Sequence, residues 1–84
     1  IEALQAFTEG RTAYAGADYA VAQAAFRRAT VAAPRDPAAW ANFGTAAWQA
    51  ADTAAAVLGW QRALRLAPTA SELRDRLALV TAPQ

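Results

Sequence analysis

Few side chains in this 84-residue chain have the chemistry for catalysis. The chain contains neither Cys nor His, which excludes disulfide bonds, thiolate chemistry and imidazole ligands for a metal. Its only serine, Ser71, is explained by the start of a helix. The seven carboxylates show no spacing that indicates a metal cage or a pair for acid–base catalysis. We therefore predict no catalytic residue, no metal site, no cofactor and no enzymatic activity.

Length and charge limit the remaining possibilities. A chain of this length forms one small domain, residues 1–84. All eight basic residues are arginines and the net charge is +1, with no basic cluster larger than Arg27-Arg28, so nucleic acid is not an expected partner. No run of about 18 apolar residues occurs, so we expect no membrane insertion by this segment. Because the chain starts at Ile1 without methionine, we expect it to be a fragment of a longer protein.

Signals for helix starts and ends divide the chain into short helices. Asp36 precedes Pro37, and this pair starts a helix because the carboxylate accepts from free amides of the first turn, where a proline loses no hydrogen bond. Asp18 and Asp52 mark two further starts in the same way. Pro68 ends the helix that begins at Asp52.

A last helix is predicted over about residues 71–81. Thr69 and Glu72 have the spacing of a capping box, in which two side chains satisfy amides of the first turn. Glu72 also forms an i,i+4 pair with Arg76. The apolar stripe of this last helix consists of Leu73, Leu77 and Val80. With a first helix over residues 1–15, the fold class is all-α with five helices.

Residues with a packing or capping role recur at an offset of 34 positions. The matching pairs are Gly10 with Gly44, Asp18 with Asp52, Ala22 with Ala56, Phe26 with Trp60, Ala29 with Ala63 and Pro34 with Pro68. Small residues stand where helices must approach closely, and aromatic rings fill the gaps between them. The chain thus holds two repeats, at about 3–36 and 37–70, and we expect Trp40 and Trp60 to lie in the core.

The first repeat departs from the second at its start. Ala6 and Glu9 occupy the positions that correspond to Trp40 and Phe43, so the first half of the first helix lacks its expected packing residues. An additional helix in the parent protein would replace those contacts. The alternative replacements within the chain are Phe7 and Leu4.

The spacing of the second repeat resembles a known family. It reads W-x2-(large)-G-x11-A-x3-(aromatic)-x2-A-x4-P and consists of Trp40, Phe43, Gly44, Ala56, Trp60, Ala63 and Pro68. This pattern resembles the tetratricopeptide repeat (TPR), a helix-turn-helix unit with a period of 34 residues. The resemblance covers most of the chain and implies a right-handed superhelical stack of antiparallel helix pairs, a TPR-like α-solenoid. It also implies that the fifth helix is the terminal cap of the stack.

The TPR resemblance further implies a function. In that family the first helix of each repeat lines a concave groove that receives an extended peptide or a partner's helix, which makes this chain a non-enzymatic protein–protein interaction scaffold. The implied groove residues are Phe7, Thr8, Arg11, Tyr14, Asn42, Thr45, Trp48, Gln49, Glu72, Arg76 and Leu79. Tyr14 and Trp48 are equally compatible with the core, and Asn42 also occurs in repeats that only stack.

Some TPR proteins hold a partner's C-terminal carboxylate with a clamp of basic and asparagine residues. Only Asn42 and Arg76 match that clamp here. Phe7 and Glu72 stand in place of two lysines, and Arg11 in place of an asparagine. Because Glu72 would repel a carboxylate, we predict no strict clamp for C-termini.

Two further functions stay open. Apolar edges at Leu4, Phe7 and the fifth helix could close a homodimer, or the stack could be a structural spacer in a larger bacterial protein. The segments VLGWQRALRLAP and LRDRLALV also resemble the repeat region of bacterial aerotolerance-type BatE proteins, which are membrane-associated. That resemblance implies a position facing the cell envelope, and the cytoplasm is the alternative.

Overall fold

Five α-helices and the short turns between them make up the chain in a computed structural model that describes residues 1–82. The helices are α1 (Glu2–Ala15), α2 (Tyr19–Ala32), α3 (Pro37–Gln49), α4 (Thr53–Leu66) and α5 (Ser71–Thr81). No strand occurs within residues 1–82. The predicted all-α class and the five predicted helices are confirmed.

The helices pack in chain order. α1 packs on α2, α2 on α3, α3 on α4 and α4 on α5. Since each connection is only a few residues long, consecutive helices turn back along one another. The radius of gyration is 12.0 Å, as expected for a compact chain of this length, and the principal extents are 38 × 25 × 16 Å. No helix within residues 1–82 has both the length and the apolar character needed to cross a bilayer.

The turn inside α1–α2 and the turn inside α3–α4 have the same backbone structure, 34 positions apart. The N–H of Asp18 donates to a carbonyl five residues earlier at 2.9 Å, and that of Asp52 does the same at 2.8 Å. The preceding residues, Ala17 and Ala51, have φ angles of 60° and 64°. This left-handed conformation closes the end of a helix and costs an alanine about 1–2 kcal/mol. The repetition therefore extends from the side chains to the backbone.

Two of the three predicted aspartate caps form hydrogen bonds. Asp36 Oδ1 accepts from an amide of α3 at 2.9 Å, with Pro37 at the first helical position. Asp52 Oδ1 accepts from an amide of α4 at 3.2 Å. Asp18 precedes α2 as predicted, but its side chain makes no capping hydrogen bond.

The predicted capping box of α5 is wrong. Ala70 is the residue at the helix start, and no side chain caps the first turn. The N–H of Ser71 donates to the carbonyl of Thr69 at 2.9 Å, so the backbone turns tightly before the helix. Glu72 is held by Arg76 instead, with Oε1 2.6 Å from Nη2, in the predicted i,i+4 ion pair.

Each helix pair has an aromatic ring lying over a glycine. A Cβ built on Gly10 would lie 2.6 Å from the ring of Phe26, and one on Gly44 would lie 2.6 Å from Cδ1 of Trp60. Both rings are buried. The glycines are therefore required because the rings occupy the space that a Cβ would take, and the predicted core position of Trp60 is confirmed.

α3 and α4 leave no room for a side chain at their crossing. A Cβ on Gly59 would lie 2.8 Å from both Cα and N of Gly44, and 2.8 Å from the carbonyl oxygen of Trp40. These are backbone atoms, which cannot rotate away as a flexible side chain can. The corresponding position of the first pair is Ala25, which is buried with its methyl group accommodated.

Trp40 is half-buried and packs against the core around Trp60 and the core around Phe26, so its predicted packing role is confirmed although the ring is not fully enclosed. Its indole N–H donates to the carbonyl of Pro34 at 2.8 Å, and the guanidinium of Arg62 lies 5.4 Å from its ring centroid. A tryptophan keeps its N–H where a partner is available, which here is the connection before α3. Arg74 repeats this contact by donating to the carbonyl of Pro68 at 2.7 Å. In both cases a side chain of the following helix donates a hydrogen bond to the proline that precedes that helix: Trp40 of α3 to Pro34, and Arg74 of α5 to Pro68.

At the start of the first pair, Phe7 supplies the missing packing and Leu4 does not. The Phe7 ring meets that of Phe26 edge to face, with centroids 6.1 Å apart and an interplanar angle of 69°. Leu4 is 66% exposed. Glu9 forms an exposed ion pair with Arg28 of α2.

Candidate binding groove

An open cavity of about 430 Å³ brings together side chains of α1, α3 and α5 with one side chain of α4. It is lined by Tyr14, Thr45, Trp48, Gln49, Trp60, Arg76, Leu79 and Val80. Six of these side chains come from the groove set implied by the TPR resemblance. Trp60 and Val80 were expected only as packing residues.

Two neighbouring cavities extend this surface. One of about 260 Å³ is lined by Arg11, Tyr14, Ala15, Phe26, Asn42 and Thr45. The other, of about 570 Å³, is lined by Ala41, Asn42, Thr45, Thr69, Ala70, Ser71, Glu72, Leu73 and Arg76. Thr45 lines all three cavities, so together they form one continuous surface, which we call the groove.

Phe7 and Thr8 line none of the three cavities. Phe7 packs on Phe26, and the Thr8 hydroxyl donates to the carbonyl of Leu4 at 2.9 Å within its own helix. The other nine residues of the implied set lie in the groove. Phe7 was displaced because the first helix lacks a large residue at position 6, and the ring of Phe7 takes over that packing role.

Trp48 is the aromatic ring that the groove presents most openly. Its side chain is 46% exposed, and its ring lies 6.0 Å from that of Trp60 with a tilt of 42°. Its indole N–H has no hydrogen-bond partner within residues 1–82. The adjacent Ala47 is fully buried, so the small residue fills the core position and the large ring points into the cavity.

Tyr14 holds the corresponding place in the first helix pair. It is half-buried, and its ring meets that of Tyr19 edge to face, with centroids 5.2 Å apart. Tyr14 lines both the 430 Å³ cavity and the cavity that contains Arg11. The sequence was equally compatible with a core or a groove position for Tyr14 and Trp48, and both side chains line the groove.

The polar centre of the groove is Thr45. Its hydroxyl oxygen accepts from Trp60 Nε1 at 3.3 Å and from Arg76 Nη1 at 3.1 Å. The Arg76 guanidinium also holds Glu72 and lies 5.8 Å from the Trp60 ring centroid. Three contacts thus fix one arginine in place, so the floor of the groove is preorganised.

The part played by Trp60 was missed at the sequence level, although a signal for it existed. The first pair has Phe26 at this position, whereas the second has a tryptophan whose N–H requires a partner when buried. That partner is Thr45, which ties the core ring to the groove surface. The signal in the sequence was therefore the indole N–H of a core tryptophan, which predicts a nearby hydrogen-bond acceptor.

Hydrogen bonds lower the pKa of one acidic group outside the groove, Asp52. Gln23 Nε2 donates to Asp52 Oδ2 at 2.9 Å, which connects α2 to the start of α4. This hydrogen bond, together with that from the Ala55 amide, holds the pKa of Asp52 below its usual value. The same carboxylate therefore caps α4 and joins the two helix pairs.

The groove has the means to hold a ligand by apolar contact and hydrogen bonding. Its only carboxylate, Glu72, is held by Arg76. Within residues 1–82, no group of three acidic side chains lies close enough to share a metal ion. In comparisons with known proteins, no family model and no curated protein matches this chain.

Proposed function

We propose that this chain is a TPR-like scaffold without enzymatic activity, whose groove binds a peptide or a helix of a partner protein. The observation that carries the proposal is the half-exposed Trp48 in a cavity of about 430 Å³ beside Tyr14 and Leu79. Large aromatic side chains contribute most to a protein interface when they are buried at its centre and surrounded by a polar rim.

The shape of the groove supports a chain-like ligand. Its three cavities share Thr45 and are lined mostly by α1, α3 and α5, and two of them, of about 430 and 570 Å³, are within the size range of ligand sites. A right-handed superhelical stack, which we propose as part of the same account, would place the first helix of each pair on one concave side. The contact of Arg74 with Pro68, which repeats that of Trp40 with Pro34, supports α5 as the third such helix.

The residues of the groove also support a binding role over a catalytic one. Thr45 Oγ1 accepts hydrogen bonds from two neighbours rather than donating its proton to a base. Glu72 is neutralised by Arg76 and is not held near a hydroxyl nucleophile in any hydrogen bond within residues 1–82. An activated nucleophile would need such a base within hydrogen-bonding reach.

Selection from a displayed peptide library followed by calorimetry tests this function. Peptides selected on the wild-type chain are titrated into Trp48→Ala and into Leu58→Ala, the matched control, because Leu58 is 43% exposed and lines none of the three cavities. We expect Trp48→Ala to weaken binding at least about tenfold and Leu58→Ala to leave it unchanged. Equal affinities for the two variants would show that the ligand sits elsewhere.

Self-association is a second candidate, favoured by exposed apolar side chains at both ends of the stack. Leu4 on α1 is 66% exposed, and Leu79 on α5 is 82% exposed. Light scattering over a range of concentrations distinguishes this function. A dimer that Leu4→Ser or Leu79→Ser converts to a monomer would favour self-association. A monomer that binds no selected peptide would favour the spacer role in a larger, BatE-like parent.

A further inference from the structure

The hydrogen bonds of the groove leave its donors in excess. Thr45 Oγ1 already accepts two hydrogen bonds, which use both of its lone pairs, so its hydroxyl proton is available only to an acceptor. The hydroxyls of Thr8, Thr30 and Thr81 donate to carbonyls of their own helices, but that of Thr45 makes no such bond within residues 1–82. The centre of the groove thus offers a hydrogen-bond donor to a ligand.

The charges of the groove point in the same direction. The charged side chains that line its cavities are Arg11, Glu72 and Arg76. Glu72 and Arg76 neutralise each other at 2.6 Å, whereas Arg11 is exposed and has no ion pair within residues 1–82. The groove therefore carries one uncompensated positive charge, and the complementary ligand carries a negative one.

Arg11 and Trp48 line cavities that adjoin, so one ligand can contact both side chains. Arg11 and Tyr14 are three residues apart on α1 and so lie on the same face, one turn apart. Tyr14 lines both the cavity of Arg11 and the cavity of Trp48, so the positive charge and the exposed ring occupy neighbouring cavities. In an extended peptide, side chains two residues apart project to the same side, about 7 Å from each other.

We propose that the groove takes an internal peptide segment with an acidic side chain two residues from an aromatic or large aliphatic one. The carboxylate pairs with Arg11, the apolar side chain packs on Trp48, and a backbone carbonyl accepts from Thr45. This inference rests on the proposed binding function and specifies its ligand. Because the carboxylate belongs to a side chain, the ligand needs no free C-terminus.

The test uses three pools of peptides with acetylated N-termini and amidated C-termini. All pools have a Phe within randomised flanks, and two residues away, on either side, they have Glu, Gln or Lys. We expect the Glu pool to bind the wild-type chain about threefold to fivefold more tightly than the Gln pool, as an exposed charge pair allows. The Lys pool should bind most weakly, and added salt should reduce these differences.

Two variants with the same net charge assign the preference to its residue. Arg11→Gln should remove the difference between the Glu and Gln pools. Arg27→Gln should retain it, because Arg27 is exposed on α2 and lines none of the three cavities. If both variants lose the preference for the Glu pool over the Gln pool, that preference depends on net charge, and the assignment to Arg11 is overturned.

The remaining outcomes separate this inference from the proposed function. Equal binding of the Glu and Gln pools, lost in Trp48→Ala, would overturn the acidic ligand while the binding function stands. Failure of all three pools and of the library selection would overturn both.

Discussion

The helix pairs α1–α2 and α3–α4 share the same turn geometry but fill their interiors differently. In the first pair a phenylalanine, Phe26, lies over Gly10, whereas in the second the larger Trp60 lies over Gly44. Trp60 also donates to Thr45 in the groove, which Phe26 has no group to do. The same backbone structure therefore accepts two different core rings. Both rings line the groove, but only that of the second pair is joined by a hydrogen bond to a side chain of the groove.

The outer edges of the two pairs show the same contrast. Arg28 and Arg62 stand 34 positions apart, yet Arg28 pairs with Glu9 and Arg62 lies over the ring of Trp40. An exposed ion pair contributes little to stability, about 0–1 kcal/mol, whereas a cation over a tryptophan also covers apolar surface. The second pair therefore has the larger aromatic ring at its edge as well as in its core.

The largest expected effect comes from removing the ring that distinguishes the second pair. Trp60→Ala should lower the free energy of unfolding by roughly 3–5 kcal/mol. Because small domains often have a total near about 5 kcal/mol, we expect a largely unfolded chain in circular dichroism. Trp48→Ala serves as the control, since that ring is half-exposed and its loss should leave the fold intact. A cooperative melt of Trp60→Ala near the wild-type midpoint would contradict the account.

The next effect tests the close crossing of α3 and α4. Gly59→Ala should lower the free energy of unfolding by about 1–3 kcal/mol, because its Cβ meets backbone atoms. Helix propensity alone predicts the opposite sign, because alanine is more favourable than glycine in a helix by about 1 kcal/mol. Gly16→Ala is the control, since its Cβ would find ordinary contacts at 3.7 Å. Denaturant titration compares the two variants, and a stabilising Gly59→Ala would show that the second pair is no tighter than the first.

The smallest effect sharpens the comparison at the helix caps. Asp52 accepts from Gln23 and from an amide of α4, and its pKa is held low, whereas Asp18 makes no capping hydrogen bond. A folded-state pKa below the unfolded one stabilises the fold above the unfolded pKa, and this stability is lost as the pH falls through the folded pKa. Asp52→Ala should therefore lower the melting temperature more than Asp18→Ala at neutral pH. The difference should disappear in strong acid, and a difference that persists there would require another cause.

Local signals predicted the helices well because they act within a few residues. Asp36 and Pro37 start α3 through amides of its own first turn, and Asp52 starts α4 in the same way. The capping box at Thr69 failed because the helix starts from Ala70, one residue later, and Glu72 pairs with Arg76 one turn on. Two local rules applied to the same carboxylate, and the sequence does not state which interaction is stronger.

Features that depend on distant neighbours could not be predicted. The contacts that Trp40 makes outside the core are with Pro34 and Arg62, and the need for Gly59 depends on the backbone of another helix. The groove was largely predictable, because the offset of 34 brings equivalent positions of α1, α3 and α5 to one side. Phe7 left that set because it compensates for Ala6, a change that only the packed structure reveals.

The central claim is that a partner occupies the groove at Trp48, and the three indole N–H signals in a nitrogen–proton correlation spectrum test it most directly. Trp40 donates to Pro34 and Trp60 to Thr45, whereas Trp48 has no partner within residues 1–82. On addition of a selected peptide, the account predicts a large shift for Trp48, a smaller one for Trp60 and none for Trp40. A shift of Trp40 with Trp48 unchanged would contradict it, because the ligand would then lie at the contact of Trp40 with Pro34 and Arg62 and not in the groove.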